Sequence, residues 1–551
     1  MPTINFSLKD LQNLVGKKIT LKELECLIQY CKGEIENYDE ASDEVTAELG
    51  DTNLPYLWST EGIARLLKSV VGKEKGIPKI KTANSKYEII VDSSVDAVRP
   101  YLVAFAAKGK NMDSCLIEQM IQLQEKLSEN FGRKRHKVAI GIYRLKKIKF
   151  PVYYKATEPS SVKFIPLDFK KPMTQKEILE EHPKGKEYAY ILEGMKRYPI
   201  LIDSANNVLS FPPIINSSDT GKIEKDDSSI FFEATGTDIN ALNLVANIFA
   251  YALHDRGFGI FSVNIKYKNK SVKTPELKTQ TIKLDKKDAE RILGLQLKDN
   301  EIKKLLEKAR YNIKNSLIEI PSYRADILHS IDVIEDIAIM FGYDKIKGLK
   351  LTEYTVGRTF EIVDFINSLR DFVIGHGYQE ILSPVLCNKE TLYDKMNITD
   401  FGTIEISNKM SETFSCVRSW LVPVLMDALS KNKHIDYPQK IFEEGIVTVR
   451  KGSKAVDYER IAIISAGKNA NFTEIKQMLD YLMALIGLEY HVEDTKHESF
   501  IDGRVGRVNV RGKEIAYIGE MHPKVLSNFS LEMPVAALEI NLTELFQLVK
   551  K

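Results

Sequence analysis

The chain has 551 residues, of which 44% are hydrophobic and 28% are charged, and this composition predicts a globular protein of several domains. The 78 basic and 76 acidic side chains leave a net charge of +2, which excludes a global positive field as the means of binding nucleic acid. The five cysteines form no Cys-x-x-Cys pair, so neither a structural zinc site nor a disulfide framework is predicted. Without an apolar signal core or a long apolar run, we expect a cytoplasmic protein with no membrane span.

The first part of the chain has the pattern of a helix pair packed on a sheet. Residues 7–30 contain two short amphipathic stretches, with Ser7 and Thr20 placed to cap the two helices and Gly16 between them. We predict an N-terminal α+β domain over residues 1–85.

Residues 86–265 alternate between strand-like and helical patterns, which predicts a mixed α and β domain. Small polar groups stand on its apolar strands. One interpretation is that they are satisfied turn or sheet residues, and the other is that they line a pocket. These residues are Ser210, Asn216, Glu233 and Thr235.

The densest positive patch of the sequence lies within the same domain. It is either a solvated loop or a contact for a phosphate backbone, and the sequence leaves both open. The patch consists of Arg133, Lys134, Arg135, His136 and Lys137, followed by Arg144, Lys146, Lys147 and Lys149.

A short stretch within residues 266–350, predicted to be a helical domain, concentrates carboxylates. Asp332, Glu335 and Asp336 have the i, i+3, i+4 spacing that places them on one helix face, while Asp326 lies just before the helix, where it can cap it or turn toward that face. Four oxygen donors without cysteine suit a hard cation, Mg²⁺ first. The alternative is a solvated acidic face with an aspartate cap.

Residues 351–551 have three helix-and-strand units. The first is a long amphipathic helix with a strand closing on Pro384, the second runs from VRSWLVP to IFEEG, and the third runs from IGEMHP to ALEINL. Together these units resemble the core of a class II aminoacyl-tRNA synthetase, and specifically the catalytic-like module of phenylalanyl-tRNA synthetase beta subunits.

The resemblance spans nearly the whole chain. The stretch PSYRADILHSIDVIEDIAIMFGYDKI resembles the B5 domain of that family, LSFPPIIN with EATGTD resembles its B3/B4 domain, and the N-terminal text is similar to the archaeal and eukaryotic form. The anticodon-binding extension of the bacterial form is missing. The implied fold class is multidomain α+β, with B1-, B3/B4- and B5-like modules before a class II synthetase-like antiparallel-sheet module that lacks the catalytic motifs.

The resemblance also implies a function. A beta subunit acts with a catalytic alpha subunit in an α2β2 tetramer, and the enzyme uses ATP to attach L-phenylalanine to tRNA(Phe) through phenylalanyl-adenylate. This chain has Phe442 to Gly445, FEEG, where an Arg-x-Glu motif is expected, and it has no arginine from Gly519 onward, so the synthetic site is expected on alpha. The alternative from a different class is a non-catalytic RNA-binding or scaffold protein derived from a synthetase subunit.

Two sites follow from the resemblance. Ser210, Asn216, Glu233 and Thr235 would line a hydrolytic editing pocket that removes tyrosine from mischarged tRNA(Phe), and Asp326, Asp332, Glu335 and Asp336 would bind Mg²⁺ in the B5 domain. The sequence departs from the family at Glu233, where aspartate is more usual, and at Arg144, where an acidic residue is usual.

Overall fold

A computed structural model describes residues 2–314 and 316–550. The chain divides into two compact units, residues 1–350 and 351–551. The further division of the first unit near residues 85 and 265 stays a prediction. Both units combine helices with sheets, so the fold is multidomain α+β.

The N-terminal elements follow the capping signals of the sequence. Ser7 accepts a hydrogen bond from the backbone N–H of Asp10, Thr20 forms a capping box with Glu23, and Gly16 ends the first helix with a φ of 73°, as predicted. The first three strands form an antiparallel sheet in the order β1-β3-β2. The elements are β1 (Thr3–Ser7), α1 (Leu8–Val15), α2 (Leu21–Ile28), β2 (Gly33–Asp39), β3 (Glu44–Leu49), α3 (Thr60–Val70) and β4 (Thr82–Ala83).

The central part of the first unit is built on one large sheet. Its nine-strand path runs β13-β12-β11-β8-β5-β15-β6-β14-β7, and β4 and β16 pair with β15. The elements are β5 (Glu88–Val91), β6 (Tyr101–Lys108), α4 (Ser114–Lys126), β7 (Val138–Arg144), β8 (Val152–Thr157), β9 (Lys163–Phe164), β10 (Met173–Thr174), α5 (Gln175–Glu181), α6 (Pro183–Tyr188), β11 (Tyr198–Asp203), β12 (Val208–Phe211), β13 (Ile215–Asn216), α7 (Ser218–Gly221), β14 (Ser229–Gly236), α8 (Ile239–Asp255), β15 (Gly259–Tyr267) and β16 (Lys270–Thr274).

The acidic helix lies in the last part of the first unit, after a three-stranded sheet of order β17-β19-β18. The helix begins at Ser330 and is capped by His329, so of the two alternatives given for Asp326 the helix cap is wrong. Asp326 stands three residues before the capping position, and Asp332 supplies the carboxylate of the capping box. The elements are β17 (Gln280–Lys283), α9 (Lys286–Leu293), α10 (Asp299–Lys308), β18 (Asn312–Lys314), β19 (Leu317–Ile320) and α11 (Ser330–Phe341).

The second unit is organised on a seven-stranded sheet in the order β20-β23-β24-β28-β27-β26-β25, antiparallel except for the β20–β23 pair. One apolar core contains side chains of α12, α14 and α16 together with residues of β23, β24 and β28. The elements are α12 (Glu361–Gly375), β20 (Gln379–Glu380), β21 (Leu386–Cys387), β22 (Cys416–Val417), α13 (Val422–Lys431), β23 (Gln439–Lys451), β24 (Lys454–Ala466), α14 (Phe472–Ile486), β25 (His491–Asp494), β26 (Phe500–Val510), β27 (Lys513–Met521), α15 (Pro523–Asn528), β28 (Val535–Asn541) and α16 (Leu542–Val549).

The longest helix of the first unit is α8, which packs on the central sheet. Asp238 caps it by accepting hydrogen bonds from two backbone N–H groups, and its middle is buried on all sides. In the part of the chain that the structure describes, no helix combines the length and the apolar character needed to cross a membrane.

Candidate functional site

All four polar residues predicted on the strands of the central sheet line one cavity of about 460 Å³. Ser210 on β12 pairs directly with Asn216 on β13, while Glu233 and Thr235 lie two residues apart on β14 and therefore share a face. The sheet curves until its ends meet. The hydroxyl of Tyr143 on β7, at one end of the strand order, lies 3.4 Å from Oδ1 of Asn216 at the other.

Glu233 is the most unusual group in this cavity, because its carboxyl is only 3% exposed and is not neutralised by an ion pair within 4 Å among the described residues. Its Oε1 accepts a hydrogen bond of 2.7 Å from Tyr143, and its Oε2 has no partner. Burial raises the pKa of Glu233 to about 7, although the Tyr143 hydrogen bond and the charge of Arg99 oppose that rise. The hydroxyl of Ser210 is also buried, and none of the described residues forms a hydrogen bond with it. The cavity therefore offers unsatisfied polar atoms to a ligand.

Arg99 completes the wall behind Thr235, and the sequence reasoning missed it. Its Nε donates to Oγ1 of Thr235 at 3.0 Å, and its Nη2 donates to the Thr235 carbonyl at 2.6 Å. Only 2% of Arg99 is exposed, and burial lowers its pKa to about 10. The only feature of the sequence that marks Arg99 is its position beside a proline at the start of an apolar strand. That feature does not distinguish a buried guanidinium from a surface one.

Arg144, which departs from the family pattern, does not line the cavity. Its guanidinium pairs with Glu224 and Asp227, each at 2.9 Å, and Lys146 reaches the same Asp227 carboxylate at 2.8 Å. Adjacent strand residues face opposite sides of a sheet, so Arg144 points away while Tyr143 points toward Glu233. Ion pairs with acidic side chains thus occupy much of the second half of the basic patch.

The first half of the basic patch is a turn at the edge of the cavity. Arg133, Lys134 and Arg135 all have left-handed backbones, with φ values of 51°, 50° and 64°. Arg135 lines the cavity and donates to the Ile214 carbonyl at 2.9 Å. Among the described residues no carboxylate lies within 4 Å of the charged groups of Arg133 and Lys134. Three successive left-handed non-glycine residues are costly, and strain of this kind is concentrated at functional sites.

Each of the four predicted magnesium ligands has a hydrogen-bond or ion-pair partner inside the first unit. Arg324 pairs with both Asp326 and Asp336, while Oε1 of Glu335 accepts from Lys32 at 2.9 Å. Oδ2 of Asp332 accepts the backbone N–H groups of residues 328 and 329. Within residues 2–314 and 316–550, no group of three or more His, Cys, Asp and Glu side chains is gathered to hold a metal ion.

The donor chemistry of three of these carboxylates nevertheless fits Mg²⁺. Asp332, Glu335 and Asp336 each keep one oxygen that accepts no hydrogen bond from the described residues. Mg²⁺ keeps several waters and often takes one or two carboxylates, so it does not need a closed protein cage. Asp326 fits less well, because Arg324 contacts both of its oxygens.

The residues of the second unit that stand where an Arg-x-Glu motif is expected lie inside the fold. Glu443 on β23 is fully buried and pairs with Arg418, and its Oε2 accepts from the hydroxyl of Ser383 at 2.6 Å. Arg460 pairs with Glu539 at 2.8 Å. The guanidiniums of this part of the sheet are therefore engaged with carboxylates of the same unit.

Comparison with known families identifies a tRNA synthetase. The family described as "tRNA synthetase B5 domain" matches residues 282–343, and "Phenylalanyl tRNA synthetase beta chain CLM domain" matches residues 349–542. The class defined by these matches is the aminoacyl-tRNA ligases.

Full-length relatives give the family within that class. The phenylalanine–tRNA ligase beta subunit of Pyrococcus abyssi is 41% identical over 99% of this chain and 100% of its own, and that of Archaeoglobus fulgidus is 37% identical over 99% of each. The crystal structure of an N-terminal fragment of the Pyrococcus horikoshii beta subunit matches 62% of this chain and 100% of its own, with 41% identity and a TM-score of 0.61. The chain belongs to the family of phenylalanine–tRNA ligase beta subunits.

Proposed function

We propose that the chain acts in the cytoplasm as the beta subunit of a phenylalanine–tRNA ligase. Together with an alpha-type subunit, in an α2β2 tetramer, it attaches L-phenylalanine to tRNA(Phe) at the expense of ATP. The similarity to chains named as beta subunits over 99% of the length is the observation that carries this proposal.

The site that makes phenylalanyl-adenylate belongs to alpha in this proposal. Adenylate formation needs cations that neutralise the charge developing on the α-phosphate. The second unit, a class II synthetase-like sheet module, has Arg418 and Arg460 committed to buried carboxylates, and residues 519–551 contain no arginine. Its fold is retained for assembly with alpha.

The cavity beside Glu233 hydrolyses tyrosine mischarged onto tRNA(Phe). A pocket shaped for phenylalanine rejects an added hydroxyl weakly, so a second pocket that recognises this hydroxyl improves fidelity. Oε2 of Glu233 is a buried acceptor without a partner, and a phenol O–H is the donor that it lacks. Ser210, Asn216 and Thr235 supply the other polar wall groups, and water cleaves the ester to tyrosine and free tRNA.

The Arg133–Lys134 turn contacts the phosphate backbone of the tRNA. Both side chains are cationic and lie beside Arg135, which itself lines the cavity. Charges placed there would hold the acceptor end while the tyrosyl group enters.

Mg²⁺ would be held by the free oxygens of Asp332, Glu335 and Asp336. Asp326 would join them only after releasing Arg324. The ion would supply charge neutralisation to a helix face that carries three carboxylates, and no chemical step depends on it.

Co-expression with an alpha-type chain tests the assembly. Light scattering should give the mass of two copies of each chain, and a chain that stays separate from alpha would contradict the proposal.

Deacylation tests editing. The assembled enzyme should hydrolyse tyrosyl-tRNA(Phe) well above the spontaneous rate, and Glu233→Ala should lose most of that excess. A wild-type rate equal to spontaneous hydrolysis would remove the editing function and leave the ligase assignment intact.

A further inference from the structure

Tyr143 contacts two residues of the cavity wall, Glu233 at 2.7 Å and Asn216 at 3.4 Å, and Glu233 is the nearer. Tyr143 is fully buried and does not line the cavity, and its hydroxyl donates to Oε1 of Glu233 at 2.7 Å. Its ring packs near Phe231, with ring centroids 6.2 Å apart, so its position is held by the core. The free oxygen of Glu233 and the oxygen bound by Tyr143 belong to one carboxyl group, which makes their orientations interdependent.

The backbone beside the Tyr143–Glu233 contact leaves no space for a side chain at residue 141. Gly141 lies opposite Glu233 in the β7–β14 register. A Cβ at Gly141 would stand 2.0 Å from the Tyr143 hydroxyl and 2.6 Å from Oε1 of Glu233. The pair therefore depends on a glycine two residues before the tyrosine on the same strand.

The terminal torsion of a glutamate side chain is broad, so an unrestrained carboxyl samples many orientations. One hydrogen bond from a fixed donor removes that freedom. Because Tyr143 holds Oε1, Oε2 is left in a single direction as an acceptor without a protein partner. A pocket that recognises one hydroxyl needs this kind of preorganised acceptor.

We propose that Tyr143 is a positioning residue for the editing pocket, which holds Glu233 so that its free oxygen accepts the phenol hydroxyl of a tyrosyl ester. This inference rests on the proposed editing function and extends it, since it assigns the discrimination between tyrosyl and phenylalanyl esters to the Tyr143–Glu233 pair. A phenylalanyl ester leaves Oε2 buried and unpaired, and a site with an unpaired polar group disfavours such a ligand.

The charges around Glu233 give this role a second signature. Tyr143 on β7 and Arg99 are the titratable groups that act on Glu233, and Ser210 and Asn216 are neutral. The Tyr143 hydrogen bond lowers the pKa of Glu233 against the effect of burial. Removing the hydroxyl should therefore shift the pH midpoint of discrimination upward.

The test compares deacylation of tyrosyl- and phenylalanyl-tRNA(Phe) by the assembled enzyme carrying Tyr143→Phe. We expect kcat/KM for the tyrosyl ester to fall about tenfold, the scale of one hydrogen bond to a charged group, with little change for the phenylalanyl ester. The pH midpoint of the ratio should rise. A purely structural role would lower both rates together and leave the midpoint in place.

The matched control is Tyr154→Phe. Tyr154 is as deeply buried, but its hydroxyl donates to the Arg99 carbonyl at 2.7 Å and does not contact Glu233. The Tyr154→Phe substitution should leave the ratio of the tyrosyl and phenylalanyl deacylation rates unchanged. Gly141→Ala breaks the same contact from the other side and should reproduce the loss of Tyr143→Phe, with phenylalanylation by the same preparation reporting that the chain is folded.

The outcomes separate the two levels of the proposal. A wild-type rate equal to spontaneous hydrolysis overturns editing, and the positioning role with it. A wild-type rate well above spontaneous hydrolysis, abolished by Glu233→Ala but unchanged in ratio and midpoint by Tyr143→Phe, overturns the positioning role alone.

Discussion

Replacing Glu233 with glutamine should make the first unit more stable at neutral pH and change it much less in acid. Burial raises the pKa of Glu233 from about 4.5 to about 7. Below pH 4.5 the carboxyl is protonated in both the folded and the unfolded chain, so its titration does not change the free energy of unfolding. As the pH rises toward 7 the unfolded chain releases the proton first, and the free energy of unfolding of the wild type falls.

The magnitude follows from the interval between the two pKa values. At about 1.4 kcal/mol per pKa unit, the wild type loses about 3 kcal/mol of its free energy of unfolding at pH 8 because of this interval. For a unit of this size, 1 kcal/mol shifts the melting temperature by about 2 °C. The melting temperature of Glu233→Gln minus that of the wild type should therefore be about 6 °C larger at pH 8 than at pH 4.5. Any fixed cost of the amide cancels in this comparison.

Tryptophan fluorescence can follow the unfolding of the first unit alone. The chain has two tryptophans, Trp58 in the first unit and Trp420 in the second, so a Trp420→Phe background reports the first unit alone. Melting curves of Glu233→Gln and its parent should diverge between pH 4.5 and 7. A melting-temperature difference that stays constant from pH 4.5 to 8 would refute the raised pKa of this buried carboxyl.

Three further changes test other parts of the molecule. Arg418→Met leaves a buried carboxylate unpaired and should destabilise the second unit by about 3–5 kcal/mol, measured by denaturant unfolding; a loss below about 1 kcal/mol would show that the pair is not buried in solution. Arg133→Glu with Lys134→Glu should raise KM for tRNA deacylation and flatten its salt dependence, whereas Lys268→Glu at an exposed hairpin turn should do neither. Glu335→Gln should weaken Mn²⁺ binding, followed by electron paramagnetic resonance as a probe of the Mg²⁺ site, and equal affinity in both proteins would exclude this carboxylate as a ligand.

Local signals in the sequence predicted local structure well. Ser7 and Thr20 cap helices as their positions indicate, because a cap depends on residues within a turn of one another. The prediction for Asp326 failed for a related reason. His329 and Asp332 satisfy the free N–H groups at the start of α11 themselves, so a more distant aspartate is not needed.

The geometry of the cavity could not be predicted from local patterns. The residues predicted for it lie on β12, β13 and β14, and only the curvature of the sheet brings β7 against β13. Arg144 departs from the family pattern, yet its side chain pairs with Glu224 and Asp227 and lies outside the cavity lining. Such pairings depend on tertiary contacts between residues about 80 positions apart.

Pyrophosphate exchange tests the central claim most directly. The purified chain alone should give only background phenylalanine-dependent exchange, because Arg418 and Arg460 of its second unit are paired with buried carboxylates. Loss of even one cation that neutralises the α-phosphate costs about a hundredfold or more in rate. Addition of an alpha-type subunit should restore both exchange and formation of phenylalanyl-tRNA(Phe). Robust exchange by the chain without alpha would contradict the account.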